Sequence, residues 1–162
     1  MARRVFYSFD YQNDCWRAAM VRNIGAIHRR RPVCDNHWEQ VNREEDDAIK
    51  RWIDAQLRHR SCTIVLIGAK TASCRWVRYE IQRSLESRKG LLGIRIHQLM
   101  DQNQQTTTAG PNPFESIMLP DGQRLSSVAP TYEPLGVSSA DVYSYISQHL
   151  EGWVEAAIAA RY

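Results

Sequence analysis

Cys62-Thr-Ile-Val-Leu-Ile-Gly68, followed by Ala69-Lys-Thr-Ala-Ser-Cys-Arg-Trp-Val-Arg-Tyr-Glu-Ile81, decides the fold. The first segment is apolar at both alternating sets of positions and is closed by Gly68, the pattern of a strand buried on both faces of a parallel sheet. The second changes period. With Ser73 as a helix cap, Val77, Ile81 and Leu85 recur every four residues as a core stripe, and Arg75, Gln82 and Glu86 fall opposite. Glu80 belongs to neither group. It lies beside the stripe and over Trp76 at the i, i+4 spacing of helical neighbours, one turn beyond the carboxyl end of a central strand. In open α/β sheets that end is where ligands enter. A carboxylate at the margin of a core is partly desolvated, a state that must be paired or used. The plainer alternative pairs Glu80 with Arg78 or Arg83 on a solvated helix face.

The rest of the chain alternates in the same way. Arg4–Phe9 suits a first strand, ending at Asp10, and Asn13 or Asp14 caps a helix that places Trp16, Met20, Ile24 and Ile27 on one face. Pro32–Cys34 reads as a short second strand. Asn42-x-x-Glu45 resembles a capping box before a helix with Ile49, Trp52, Ile53 and Leu57 inward. Leu91–Ile96 is a fourth strand and Val128–Tyr132 a fifth. Ser139 starts a last helix carrying Val142, Ile146, Leu150, Trp153 and Ala157. Residues 101–127 form a long polar loop within the domain, rich in Gln and Thr, which either shapes a pocket or stays disordered. The order predicts one domain over 1–162, an α/β flavodoxin-like sheet of five parallel strands in the order 2-1-3-4-5 with helices on both faces. At its switch point Ser8, Phe9 and Asp10 face Thr71, Ser73 and Glu80.

With 162 residues, 43% hydrophobic and 24% charged, the chain can bury a substantial core. No apolar run is long enough to cross a bilayer, and Met-Ala-Arg-Arg leads straight into a strand, so a cytoplasmic protein without membrane association is expected. Cys15, Cys34, Cys62 and Cys74 lack any C-x-x-C pair or zinc-type spacing, which predicts free thiols and no metal site. The net charge of +3, concentrated in Arg29–Arg31, comes without aromatic interleaving or a nucleic-acid module, and nucleic acid is not an expected partner.

Neither a P-loop nor a dinucleotide-type glycine fingerprint is present, and neither G-x-S-x-G nor H-E-x-x-H occurs. A phosphate-accepting receiver domain needs an aspartate where Gly68 stands. A polar, aromatic-walled site with Glu80, and with Asp10 or Asp35 as a second acid, remains. It suits cleavage of a glycosidic bond, in which an anion stabilises a sugar cation. It suits simple binding of a polar ligand equally well.

Val5-Phe-Tyr-Ser-Phe-Asp-Tyr11, Trp16-Arg-x(4)-Arg-Asn23, Trp52-Ile-Asp54, Thr63–Gly68, Trp76-Val-Arg-Tyr-Glu-Ile81, Gly90-Leu-Leu-Gly-Ile94 and Gly110-Pro-Asn-Pro-Phe114 together resemble the TIR-like branch of the Toll/interleukin-1 receptor superfamily. Within it the chain is similar to the TIR proteins of bacterial Thoeris anti-phage systems. The resemblance implies that NAD is the substrate, with no cofactor, and is cleaved between nicotinamide and ribose by a glutamate four residues after a tryptophan, here Glu80 after Trp76. It implies that a cyclic ADP-ribose isomer results and carries a signal to a separate effector, under a phage-derived trigger. It also implies a substrate pocket lined by Phe6, Ser8, Phe9 and Asp10 on one wall and by Thr71, Ser73 and Trp76 on the other. Phe9 or Trp76 would stack on a ring of the substrate. Plainer roles are open as well: Phe6 in the core, Ser8 satisfying backbone, Asp10 capping a helix. A non-catalytic interaction module, and transfer of ADP-ribose to water or another small acceptor, are the alternatives. Asp35-Asn-His-Trp-Glu-Gln40 lacks the Pro and Gly of the loop by which animal and plant relatives assemble, so assembly by that route is not expected.

Overall fold

A computed structural model of the chain describes residues 3–24 and 45–161. The elements are β1 (Val5–Ser8), α1 (Tyr11–Ile24), α2 (Asp46–Leu57), β2 (Cys62–Ile67), α3 (Arg75–Glu86), β3 (Gly90–Arg95), β4 (Thr131–Tyr132) and α4 (Ser139–Ala159). All strand pairs are parallel, in the order β1-β2-β3-β4, with Val5 beside Cys62, Cys62 beside Gly90 and Gly93 beside Thr131. Among the described residues the sheet has four strands, not five. Pro32–Cys34, Ile27, Asp35–Gln40 and the Asn42 end of the capping box lie outside them.

β2 explains the layers. All six of its residues are buried, and their alternation sends side chains to opposite faces. Ile64 and Leu66 join Leu92 and Ile94 beneath α1 and α4, through Ala18, Val21, Ile24, Val142, Ile146 and Val154. Val65 and Ile67 join Leu91 beneath α3, through Val77 and Ile81. A third cluster packs Phe6 on Ile49, Ile53 and Leu57 of α2. Burial on this scale is the main favourable term that holds the layers together.

Four local expectations are corrected. Ser73 does not cap α3: it ends a 3-10 turn, Thr71–Ser73, its hydroxyl donates to the Lys70 carbonyl at 2.9 Å, and Cys74 stands at the cap position. α1 begins at Tyr11, earlier than Asn13 or Asp14. Asp14 sits at a kink with φ −121° and ψ 15°, which turns Asp14, Arg17, Ala18, Val21 and Ile24 inward and leaves Trp16 53% exposed. The last strand is only Thr131–Tyr132, because the Val128 and Ala129 amides are spent on the Leu125 carbonyl and Pro130 has no amide to give. Residues 101–127 are not a polar loop throughout: Phe114 and Leu125 are fully buried, and with Ile117 they fill the core beside α3. The start of α4 is as expected, with a complete capping box between Ser138 and Asp141.

Candidate active site

Parallel pairing brings Ser8, the last residue of β1, alongside Val65 of β2. The chain then leaves β2 through Gly68, makes the 3-10 turn and enters α3, whose second turn returns over the end of β1. Two segments distant in sequence meet there. The Ser8 hydroxyl donates a hydrogen bond to Oε2 of Glu80. Ser8 is fully buried and Glu80 is 5% exposed.

The hydrogen bonds continue behind the carboxyl group. Ser84, one turn further along α3, donates from Oγ to the Glu80 carbonyl at 2.6 Å, and its Oγ lies 2.7 Å from Oγ1 of Thr63 on β2. Thr63 and Ser84 are both without solvent exposure. The sheet–helix interface therefore contains a buried polar strip in which every hydroxyl is partnered, as burial requires. Burial pushes the Glu80 pKa up to about 8, and the Ser8 hydrogen bond, which favours the anion, opposes that rise.

The other expected residues sit as follows. Asp10 is buried and accepts from Nδ2 of Asn13 at 2.6 Å, while its carbonyl receives the Asp14 amide. The fields of Asp10 and Glu80 both reach Cys74, whose thiol is pushed up chiefly by burial, so the two carboxylates share one neighbourhood. Thr71 is fully buried, and its Oγ1 accepts the Gly68 amide at 2.7 Å, closing the exit of β2. Trp76 is half-buried beside Phe6, with the edge of Tyr79 against it and the Arg75 guanidinium 4.5 Å from its ring centre. Phe6 lies in the α2 core cluster and Phe9 in the α1–α4 core, under the Arg22 guanidinium. Ser73 is exposed.

Sequence reasoning overlooked the neighbouring ion pair. Arg17, 3% exposed, donates to the carbonyls of Leu99 at 2.8 Å and Gln105 at 2.7 Å and to Oδ1 of Asp14 at 3.1 Å. Burial raises the Asp14 pKa and Arg17 opposes it. The Asp14 carboxylate rests on Gly68, where a Cβ would stand 2.1 Å from Oδ2, so the exit of β2 tolerates no side chain. Gly110 closes the other side: a Cβ there would stand 2.4 Å from the Gly68 and Ala69 carbonyls. No group of three or more His, Cys, Asp or Glu side chains among the described residues is placed to hold a metal ion, and no helix among them is long and apolar enough to cross a membrane.

Comparison with known proteins converges on the same segment. The family model for the Thoeris protein ThsB, TIR-like domain, matches residues 6–101, a stretch that contains Phe6, Ser8, Phe9, Asp10, Thr71, Ser73, Trp76 and Glu80. A Bacillus cereus (strain MSX-D12) protein named "Putative cyclic ADP-D-ribose synthase ThsB1" is 38% identical over 122 residues, a span covering 72% of this chain and 64% of that protein. The chain therefore matches just under two thirds of that relative's length.

Proposed function

Since the chain belongs to the TIR-like domain family of the Thoeris protein ThsB, we propose that it cleaves NAD, releases nicotinamide and closes the remaining ADP-ribose into a cyclic isomer. The single observation that carries this reading is the Glu80 carboxyl group, buried at the exit of β2 and hydrogen-bonded to Ser8. The name of the Bacillus cereus relative supplies the product class.

In the proposed reaction the bond between the ribose carbon and the nicotinamide nitrogen breaks. Its electron pair leaves with the ring, which departs neutral, and positive charge passes to the ribosyl group. An ionised Glu80 in a water-poor site stabilises that charge far better than an exposed carboxylate could. A nucleophilic atom elsewhere in the same ADP-ribose then forms the new bond to the sugar carbon. NAD is the substrate and the step uses no cofactor. The product would act as a second messenger for a separate effector protein in anti-phage defence in the cytoplasm, with a phage-derived trigger starting the reaction.

Purified protein, alone and with phage-infected extract, is incubated with NAD, and both products are separated chromatographically. Nicotinamide together with a cyclic isomer is the expected result, and Glu80→Gln abolishes both. Linear ADP-ribose in place of the ring would make the protein a hydrolase. Parental nicotinamide release by Glu80→Gln would overturn the assignment of the acid.

A further inference from the structure

We propose that Ser8 is a positioning residue, holding the Glu80 carboxyl group for reaction, and not a ligand of the substrate. The kinetic consequence rests on the NAD-cleaving reading, whereas the contact itself stands apart from it.

Three observations carry the proposal. Ser8 has no exposed surface, so its hydroxyl offers no face to an incoming molecule. Its one hydroxyl hydrogen is already directed at Oε2 of Glu80. The third lies behind the helix. Glu80 is fixed a second time through its backbone, by Ser84 donating to the Glu80 carbonyl, with Thr63 hydrogen-bonded to Ser84. A serine that bonds back to the carbonyl four residues earlier weakens a helix slightly and replaces no missing amide. Three hydroxyl-bearing residues without exposure, in an interface that aliphatic side chains would fill more stably, all converge on one glutamate. β1 and β2 thus grip the carboxyl group and the backbone of the same residue.

The hydrogen bond from Ser8 also favours the ionised form of Glu80, against the burial that disfavours it. Removing the hydroxyl takes away the influence that opposes burial among the described residues, so two properties change together: the carboxyl group loses its fixed orientation, and ionisation moves to higher pH. A substrate ligand would behave differently. Its loss would weaken binding of NAD and leave the titration of the free protein where it was.

The experiment is a carbon-13 NMR titration of the Glu80 side-chain carboxyl in ligand-free protein, paired with the pH dependence of kcat/KM for NAD. In Ser8→Ala the titration midpoint moves up by about one to two pH units, the worth of a hydrogen bond to a charged acceptor. The rising limb of kcat/KM moves with it, and KM for NAD changes less than about threefold, within the spread of uniform-binding effects. Ser8→Thr, which keeps the hydroxyl, restores the midpoint. If the alanine variant does not fold, Ser8→Cys keeps nearly the same shape with a weak donor and shifts the midpoint in the same direction. An unchanged midpoint, or a KM raised tenfold or more with the midpoint fixed, overturns the proposal. If the parent releases no nicotinamide, the NAD reading fails, while the ligand-free titration still decides the role of Ser8.

Discussion

Glu80→Gln should stabilise the protein increasingly as pH rises. Burial holds the Glu80 pKa at about 8 in the folded chain against an ordinary value of 4.5. Below pH 4.5 both folded and unfolded states hold the proton and the group contributes no pH-dependent penalty. Between 4.5 and 8 the unfolded chain ionises while the folded one keeps its proton, so stability falls by about 1.4 kcal/mol per pH unit. Above 8 the fall ends, with a total loss of about 5 kcal/mol, the product of that slope and a difference of about 3.5 units. The same relation gives a penalty of about 1 kcal/mol at pH 5 and between 4 and 5 kcal/mol at pH 8.5. Glutamine carries no titrating proton and its carbonyl can still accept from Ser8. Any offset from the new amide group is the same at every pH, and every other titrating group is common to both proteins. Urea unfolding of parent and variant at pH 5, 7 and 8.5 therefore isolates Glu80: the gap between them should widen by about 3–4 kcal/mol across the range. A gap constant to within about 1 kcal/mol, well below the value worked from linkage, would refute the reasoning. It would mean that Glu80 ionises in the fold as it does in water.

Three further outcomes are expected. At pH 7 a group titrating near 8 is about nine tenths protonated, and the cationic nicotinamide ring of bound NAD should drive much of that proton off. Calorimetric binding enthalpies measured in buffers of different ionisation enthalpy should then reveal proton release, absent in Glu80→Gln. Arg17→Met leaves the Asp14 carboxylate buried without its cation and should destabilise the fold by about 3–5 kcal/mol in urea unfolding; adding Asp14→Asn should recover part of the loss. Phe114→Ala opens a cavity in the core beside α3 and should lower stability by about 3–5 kcal/mol, with no effect on the Glu80 titration midpoint.

The readings that succeeded and failed did so for the same reason: apolar periodicity reports packing, while polar groups satisfied in the interior look like surface. Cys62–Ile67 and the Val77–Ile81 stripe were legible because every position follows one period. The same pattern set Glu80 at the margin of the core, where it lies. α1 was misread because Asp14 and Arg17 point inward as an ion pair and Trp16 points out, the reverse of a hydropathy wheel. The kink at Asp14 has no apolar signature either. Phe114, Ile117 and Leu125 enter the core from 3-10 turns and connecting chain, where spacing follows neither a helix nor a strand, so residues 101–127 read as polar loop. Ser73 had the right chemistry for a cap, but the 3-10 turn takes its hydroxyl to Lys70 first. The contact between Ser8 and Glu80 could be anticipated only as far as the topology allowed, to two strand exits facing one crevice.

The three acids near the exit of β2 are handled in different ways, and the difference bears on function. Asp14 has a guanidinium, Asp10 has the side-chain amide of Asn13, and the partner found for the Glu80 side chain is a neutral hydroxyl. A resident cation beside a carboxylate favours its charge whether or not a ligand is present, as Arg17 does for Asp14 against a burial that still raises its pKa. Glu80 is left with desolvation favouring the proton and one hydrogen bond favouring the anion, a balance that an arriving positive charge can tip. Were a lysine or arginine paired with Glu80, the protein would be more tolerant of high pH, and the carboxylate would meet a ribosyl cation already neutralised by its neighbour. Among the described residues no cation pairs with Glu80, which in the proposed reaction keeps its negative charge for the transition state, where its attraction is worth most.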